Sequence, residues 1–301
     1  MLYVTNMASP ELEKVLAHLR AHQPQGGART LADLRRYVDA MGSMEPVAPD
    51  IAIEPLTLDG VPAERLAAPG ASIDRALLYV HGGAYAFGTL EGYRPLAGRI
   101  ARAFGAPVFV VAYRLAPEHP FPAGLDDVVK SYRALRATTG GARVAIAGDS
   151  AGGGLTLATM LALRDDGAEL PAAAACISPC VDLEATGESM VTRASIDPII
   201  QREGVLASAQ MYLGSRDRRS PLASPLHADL TGLPPLLVHV GTSETLYDDS
   251  VRLVDRAKAH GVDATLDVWE GMIHVFHMFP AFADAHRATA RLGAFLREKM
   301  G

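Results

Sequence analysis

The sequence is poor in cysteine, which limits how the fold can be stabilised. Of its 301 residues only Cys176 and Cys180 are cysteines, and they lie four positions apart at the end of an apolar segment. In an extended strand their Cα atoms would be about 13 Å apart, which is too far for a disulfide bond. We therefore expect two buried, reduced thiols, as is typical of a cytoplasmic protein.

The sequence also lacks the features that attract nucleic acids or membranes. Its formal net charge is −6, and it contains no run of basic residues. No segment reaches the ~18 apolar residues that span a bilayer. Residues 1–6 do not show the basic-then-apolar pattern of a secretory signal peptide. These absences predict a cytoplasmic protein that binds neither nucleic acid nor membrane.

Motifs for cofactors and metal ions are missing as well. No Gly-x-Gly-x-x-Gly sequence follows a candidate strand, which removes the main indication of a dinucleotide site. His274 and His277 are three residues apart, as metal ligands on a helix can be, but no third ligand is evident. We expect neither a cofactor nor a bound metal ion.

What the chain has in abundance is apolar sequence in alternating elements. Hydrophobic residues make up 49% of it, which is enough for a large core. The predicted strands are 76–80, 108–113, 143–147, 172–177, 236–240 and 264–269. The predicted helices are 93–104, 125–138, 151–164, 250–260 and 281–300. This alternation indicates an α/β fold in which helices cover both faces of a mostly parallel sheet.

Two regions depart from this alternation. Residues 10–40 have helical spacing with a break at 23–27 and contain no candidate strand, and a hairpin is predicted over 51–67. Residues 180–235 contain several X-Pro pairs and one predicted helix, at 203–212. Ligands of parallel sheets bind beyond the carboxyl ends of the strands, so an insertion placed there can roof a site.

A Gly-x-Ser-x-Gly motif, Gly148-Asp149-Ser150-Ala151-Gly152, joins the strand at 143–147 to the helix at 151–164. Taken alone, such a motif can be a small-residue turn that packs a helix on a strand. Between a buried strand and a helix, however, it is the pattern of a nucleophile elbow, a turn too tight for side chains two residues either side of the serine. Ser150 would then project above the sheet, beside the positive end of the helix.

Candidate partners for Ser150 follow two later strands. Residues 241–248 come after the strand at 236–240 and contain Glu244 and Asp248, while His274 comes after the strand at 264–269. A serine hydroxyl is a weak nucleophile until an imidazole takes its proton, and a carboxylate fixes the imidazole tautomer and stabilises its cation. The order serine, acid, histidine is that of α/β-hydrolases.

A glycine-rich stretch could supply hydrogen-bond donors for the oxyanion of an acyl-transfer reaction. Gly82, Gly83 and Ala84 follow the strand at 76–80, and small residues let their backbone N–H groups approach a ligand. We predict an oxyanion hole from the N–H groups of Gly82, Gly83 or Ala84, together with that of Ala151. Alanine tolerates a positive φ poorly, so Ala84 fits this loop less easily than a glycine would.

Other residues near these motifs are predicted to be structural. His81 is expected to brace its loop through hydrogen bonds rather than to act as a base. Arg114, Glu118 and Asp126 are expected to form a buried ionic network. The apolar residues expected in the core and the pocket wall are Met272, Phe276, Met278 and Phe279.

These motifs resemble those of the bacterial hormone-sensitive-lipase-like esterases, in the branch with Gly-Asp-Ser-Ala-Gly at the elbow. The matching stretches are 113–123 (YRLAPEHPFPA), 81–83 (HGG) with Gly88, 224–226 (SPL), 232–235 (GLPP) and 271–274 (GMIH). The resemblance runs from about residue 45 to the end of the chain. It implies an α/β-hydrolase fold with an eight-stranded sheet, a catalytic domain over 46–301, and a helical cap formed by 1–45 and 180–215.

The resemblance also implies a reaction, the hydrolysis of small carboxylic esters without a cofactor. The acid of the family's usual Asp-Pro-Leu motif aligns with Glu244, and Asp248, one helical turn on, is the alternative. The family's usual third oxyanion glycine is Ala84 here. We predict a carboxylesterase in which Ser150, His274 and Glu244 act on small, soluble, short-acyl esters. A lactonase or amidase with the same residues, a non-catalytic small-molecule receptor on the same fold, and a homodimer are left open.

Overall fold

A computed structural model of the protein describes residues 10–22, 30–140 and 143–301. The interpretations of residues 1–6 and of the break at 23–27 lie outside these ranges. Within them, no helix combines the length and the apolar content needed to cross a bilayer. Cys176 and Cys180 are both buried free thiols.

Eight strands form one sheet, as the sequence predicts. They are β1 (Ala52–Leu58), β2 (Val61–Ala67), β3 (Arg75–Val80), β4 (Val108–Val111), β5 (Arg143–Asp149), β6 (Ala174–Ile177), β7 (Leu236–Gly241) and β8 (Ala264–Trp269). The spatial order is β1-β2-β4-β3-β5-β6-β7-β8. The hairpin β1–β2 is antiparallel and β2 pairs antiparallel with β4, while the remaining pairs are parallel. The predicted α/β fold with an eight-stranded, mostly parallel sheet is confirmed.

Helices connect the strands and flank the sheet. They are α1 (Pro10–His22), α2 (Leu31–Met41), α3 (Leu90–Phe104), α4 (Ala123–Thr138), α5 (Ala151–Asp165), α6 (Ser189–Thr192), α7 (Arg202–Leu213), α8 (Tyr247–Ala259) and α9 (Ala283–Met300). Every predicted helix is present, with ends displaced by a few residues. The short helix α6 was not predicted, because four residues are too few to show a helical period.

The core lies on both faces of the sheet because the central strands, β3 to β7, are buried at nearly every position and mostly apolar. In β3, Leu77 and Tyr79 pack with α3 and α9 on one face, while Leu78 and Val80 pack with α4 and α5 on the other. Successive side chains of a strand point to opposite faces, so a continuous apolar run requires cover on both. The central strands therefore hold their carboxyl ends in a rigid frame, and the loops that follow them start from fixed positions.

The N-terminal helices α1 and α2 pack against each other and α2 reaches the edge of the sheet where the strands end. Helix α2 begins with a capping box, in which the Thr30 hydroxyl accepts from the Asp33 N–H and the Asp33 carboxylate accepts from the Thr30 N–H. The His18 ring contacts the carbonyl of Ala40 at 2.8 Å and so ties α1 to the end of α2. Residues of α2 line the same cavity as Ser150, which directly follows β5, so α2 lies at the carboxyl edge of the sheet.

Candidate active site

The turn between β5 and α5 has the geometry of a nucleophile elbow. Ser150 has φ 51° and ψ −121°, a conformation that L-residues rarely adopt. A Cβ atom on Gly148 would lie 2.4 Å from the carbonyl oxygen of Gly152, and one on Gly152 would lie 2.1 Å from that of Val80. Side chains are excluded at both positions, as the sequence predicts, and the serine is presented at the carboxyl edge of the sheet.

Three side chains from separate loops form a continuous chain of hydrogen bonds. His274 Nε2 lies 3.0 Å from Ser150 Oγ, and His274 Nδ1 lies 2.9 Å from Glu244 Oε2. With the carboxylate accepting from Nδ1–H, Nε2 is left as the acceptor for the serine hydroxyl. Glu244 is fully buried and His274 is 4% exposed, so water is largely kept from both.

Glu244 is oriented by a residue that the sequence analysis missed. Its Oε1 accepts from the Gly241 N–H at 2.6 Å and from the Ser178 hydroxyl at 2.9 Å. The same hydroxyl oxygen accepts from the Val275 N–H at 3.1 Å, next to His274. Ser178 thus links Glu244 to the loop that carries His274. Its only sequence signal is that it directly follows β6, at the edge where the other site residues lie.

Asp248, the alternative acid, lies elsewhere. It is in the first turn of α8, and its Oδ2 accepts from the Ser189 N–H at 2.8 Å. The Ser189 hydroxyl in turn donates to the Thr245 carbonyl at 2.6 Å. Asp248 therefore holds the segment around α6 against residues 241–248, the loop that contains both acids. Glu244 is the carboxylate in contact with His274.

Burial and the neighbouring carboxylates shift the pKa of His274 in opposite directions. Burial by itself would lower the pKa of the imidazole, because a cation is poorly solvated inside the protein. The hydrogen bond and negative charge of Glu244, with Asp197 and Asp149 farther away, favour the cation and raise the pKa above its ordinary value. The imidazole is therefore a stronger base than a free histidine side chain.

The glycine loop, residues 82–89, follows β3 and runs beside Ser150. The Gly82 N–H donates to Asp149 Oδ1 at 3.0 Å and is therefore engaged within the protein. The N–H groups of Gly83 and Ala84 donate to no acceptor in the described parts of the chain. Ala84 has φ 54°, a positive value that is unfavourable for alanine. The predicted oxyanion role of Gly82 conflicts with its hydrogen bond to Asp149. The roles of Gly83, Ala84 and Ala151 as oxyanion donors stay predictions.

Asp149 anchors this arrangement from beneath. Its carboxylate accepts from the hydroxyl groups of Tyr79 and Tyr93, each at 2.9 Å, in addition to the Gly82 N–H. Burial raises its pKa to about 6, and the three hydrogen bonds work against that rise. The residue before Ser150 therefore holds the start of the glycine loop against the elbow.

A cavity of about 450 Å³ opens onto Ser150 and His274. Helices α2 and α7 both contribute to its wall. Apolar residues that line it include Val38, Met41, Val205, Met211, Met278 and Phe279. Asp149 and His274 are the charged or basic side chains in its lining among the described residues. Volume and apolar character both match a small, uncharged organic ligand.

The structural role predicted for His81 agrees with the structure, while the ionic network predicted for Arg114, Glu118 and Asp126 does not. His81 does brace its loop: its Nδ1 contacts the Gly82 carbonyl at 2.7 Å and its ring stacks on Tyr113. The buried network of Arg114, Glu118 and Asp126 is wrong. Arg114 and Glu118 are exposed and do not pair with Asp126. The partner of Arg114 is Asp127, at 2.8 Å, and that of Glu118 is Arg35, at 2.7 Å.

His277 does not share a ligand position with His274. Its Nε2 lies 3.0 Å from Nδ1 of His239 on the buried strand β7, whereas the His274 ring contacts Ser150 and Glu244. Phe276 is fully buried, while Met278 and Phe279 line the cavity, so the core and pocket-wall roles predicted for these three residues are confirmed. Met272 also packs against this core.

The sequence and the fold are similar to those of known proteins over nearly their whole length. A family model described as the alpha/beta hydrolase fold matches residues 77–278. An acetyl-hydrolase of Streptomyces hygroscopicus is 42% identical, covering 98% of this chain and 99% of the relative. An esterase of Acinetobacter venetianus is 35% identical over 87% of each chain.

Solved structures give the same result. An esterase from the bacterial hormone-sensitive lipase family superimposes with a TM-score of 0.93 and 49% identity, over 98% of this chain and 99% of that one. The esterase EstE5, soaked with p-nitrophenyl butyrate, superimposes with a TM-score of 0.90 and 42% identity, over 97% and 99%. The chain belongs to the α/β-hydrolase family, in its bacterial hormone-sensitive-lipase group. The predicted class, a serine carboxylic-ester hydrolase, is confirmed.

Proposed function

We propose that the protein is a carboxylesterase that hydrolyses small, short-acyl esters through an acyl-enzyme on Ser150. The observation that carries this proposal is the unbroken chain of hydrogen bonds from Ser150 through His274 to Glu244 at the mouth of an apolar cavity. An acetyl-hydrolase and several esterases among the relatives support the same substrate class. Hydrolysis needs no cofactor in this scheme.

The reaction proceeds in two halves. Ser150 Oγ attacks the ester carbonyl carbon while its proton passes to His274 Nε2, and Glu244 stabilises the resulting imidazolium. The N–H groups of Gly83, Ala84 and Ala151 donate to the carbonyl oxygen as it becomes an oxyanion. Collapse of the tetrahedral species breaks the C–O bond, and the leaving alcohol takes the proton from His274. Water then attacks the acyl-enzyme in the same way and releases the carboxylic acid.

The shape of the cavity supports small, uncharged substrates. A pocket of this volume buries a small ligand almost completely, and its described lining contains no lysine or arginine that could pair with an anionic acyl group. The two-part cap, residues 1–45 and 180–215 on a catalytic domain over 46–301, fits the contributions of α2 and α7 to that wall. The cytoplasmic location remains a prediction from the sequence.

The test combines one variant with a panel of esters. Ser150→Ala should reduce turnover of p-nitrophenyl butyrate by about 10⁴-fold or more, because the residues of a triad act as a unit. The wild-type protein should release a stoichiometric burst of p-nitrophenol, and kcat/KM should rise and then fall as the acyl chain lengthens. A Ser150→Ala variant with a tenth of the wild-type activity would refute the mechanism. A preference for emulsified long-chain esters would refute the substrate class.

A further inference from the structure

One side chain of the N-terminal helix α2 reaches the backbone of the glycine loop. Arg35 Nε donates to the carbonyl oxygen of Ala86 at 3.0 Å, and Nη2 donates to that of Ala116 at 3.2 Å. The outer edge of the guanidinium donates to both carboxylate oxygens of Glu118, at 2.8 and 2.7 Å. The planar fork therefore joins three chain segments that are distant in sequence.

The part of the glycine loop that Arg35 holds has an unfavourable backbone. Gly83, Ala84 and Tyr85 have φ of 110°, 54° and 61°, so two consecutive residues with a Cβ have positive φ. Such conformations persist only where the surroundings enforce them. The Tyr85 carbonyl accepts from the Ala116 N–H at 2.9 Å, and the Tyr85 ring stacks on Tyr212 of α7, with centroids 3.9 Å apart.

A second contact links the same helix to the far end of the loop. One turn after Arg35, Asp39 Oδ1 accepts from the Thr89 hydroxyl at 3.0 Å. The Thr89 hydroxyl oxygen also accepts from the Gly92 N–H and so caps α3. Helix α2 is therefore bonded to the glycine loop in its middle, at Ala86, and at its last residue, Thr89. Among the described residues the N–H groups of Gly83 and Ala84 have no acceptor, and they lie three and two residues before the first of these contacts.

We propose that Arg35 is a positioning residue for the oxyanion hole, so that the N-terminal helix supports the chemical step as well as covering the substrate. This inference rests on the proposed function, since it concerns the N–H groups of Gly83 and Ala84. Removing the guanidinium leaves the carbonyls of Ala86 and Ala116 without their donor and releases the restraint on Ala84 and its neighbours. The N–H groups would then spend less time at the position that the oxyanion requires.

The dependence of the kinetics on acyl-chain length distinguishes two roles of α2: positioning the oxyanion donors through Arg35, or only covering the pocket. If α2 only covers the pocket, Arg35→Ala weakens binding, so KM rises and rises most for long acyl groups. If Arg35 positions the oxyanion donors, kcat falls by the same factor for p-nitrophenyl acetate, butyrate and hexanoate, because all three form the same oxyanion. We expect a fall in kcat of about 10- to 100-fold, less than the 10²–10³-fold that follows complete loss of one donor.

Arg36→Ala is the matched control on the same helix. The Arg36 side chain is 74% exposed and pairs with Asp33 within α2, without contact to the glycine loop. Its kcat should equal that of the wild type, and the melting temperatures of the two variants should agree within about 5 °C. Arg35→Ala with unchanged kcat, or with a KM effect that grows with acyl length, would overturn the inference.

Glu118→Gln provides the same test with a smaller perturbation, should Arg35→Ala fail to fold. The hydrogen bond from Arg35 lowers the pKa of Glu118 to about 2, so the ion pair is intact throughout the assay range. The amide removes the charge that aligns the guanidinium, and kcat should fall independently of acyl length; an unchanged kcat would overturn the inference. Ser150-dependent hydrolysis by the wild type, measured in parallel, keeps this result separate from failure of the proposed function.

Discussion

Replacing Glu244 by glutamine should trap His274 in its inactive tautomer. The Gly241 N–H donates to Glu244 Oε1 at 2.6 Å and can only donate, so an amide at position 244 must keep its oxygen there. The amide nitrogen is then directed at His274 Nδ1. There it donates a hydrogen bond, whereas the carboxylate oxygen that it replaces accepts one. The imidazole proton moves to Nε2, which can no longer take the proton of Ser150.

The size of the effect follows from the loss of the base. In a serine protease, the same carboxylate-to-amide change lowers kcat about 10⁴-fold with the geometry intact, which is about 5.5 kcal/mol in the activation barrier. Glu244→Gln should lose activity on this scale with p-nitrophenyl butyrate. Its melting temperature should stay close to that of the wild type, because shape and most hydrogen bonds are retained.

Asp248→Asn is the matched control for this experiment. Its amide oxygen can still accept the Ser189 N–H, so kcat should change by less than about tenfold. A larger loss for Asp248→Asn than for Glu244→Gln would refute the reasoning and transfer the acid role to Asp248. A Glu244→Gln variant within tenfold of the wild type would show that the tautomer does not control the rate.

Two further predictions concern pH and the elbow. Because the pKa of His274 is raised and only the neutral imidazole is a base, kcat/KM should fall with acidification through a limb above pH 6.5, and a flat profile from pH 5 to 8 would contradict this. Gly152→Ala places a Cβ atom 2.1 Å from a backbone oxygen and should lower the melting temperature by at least about 5 °C, whereas Gly204→Ala, with open space in α7, should not; equal melting temperatures would refute the steric argument.

The parts of the site that the sequence predicted are those governed by local rules. Ser150 was found because its elbow requires glycine on both sides. Glu244 and His274 were found because they follow neighbouring parallel strands, whose carboxyl ends must meet at one edge of the sheet. The eight strands and the helices between them follow in the same way from runs of apolar residues with a clear period.

What the sequence did not predict depends on contacts between distant segments. Asp126 and Asp127 are adjacent in the chain, but their side chains point about 100° apart on α4, and only Asp127 is buried and meets Arg114. A sequence-based prediction that places the start of α4 two residues away cannot tell which of the two aspartates is buried. The links from Ser178 to Glu244 and from Arg35 to Glu118 span 66 and 83 residues, and no periodic pattern encodes such pairs.

The same limit applies to the oxyanion donors. Successive backbone N–H groups in a glycine loop are chemically identical, and which of them faces the ligand depends on φ angles that the residue types leave open. The Gly82 N–H donates to Asp149, a residue 67 positions away, while those of Gly83 and Ala84 have no acceptor in the part of the chain that the structure describes. Composition alone therefore indicates the loop but does not distinguish one of its N–H groups from another.

The backbone conformation of Ser150 restricts which hydroxyl residue can occupy the elbow. Threonine carries the same nucleophilic group, but its branched Cβ is poorly tolerated at φ 51° and ψ −121°. Cysteine is unbranched at Cβ and meets the same steric requirement, so the shape of the elbow does not exclude it. At this position, steric fit thus disfavours threonine before the chemistry of the side chain is considered.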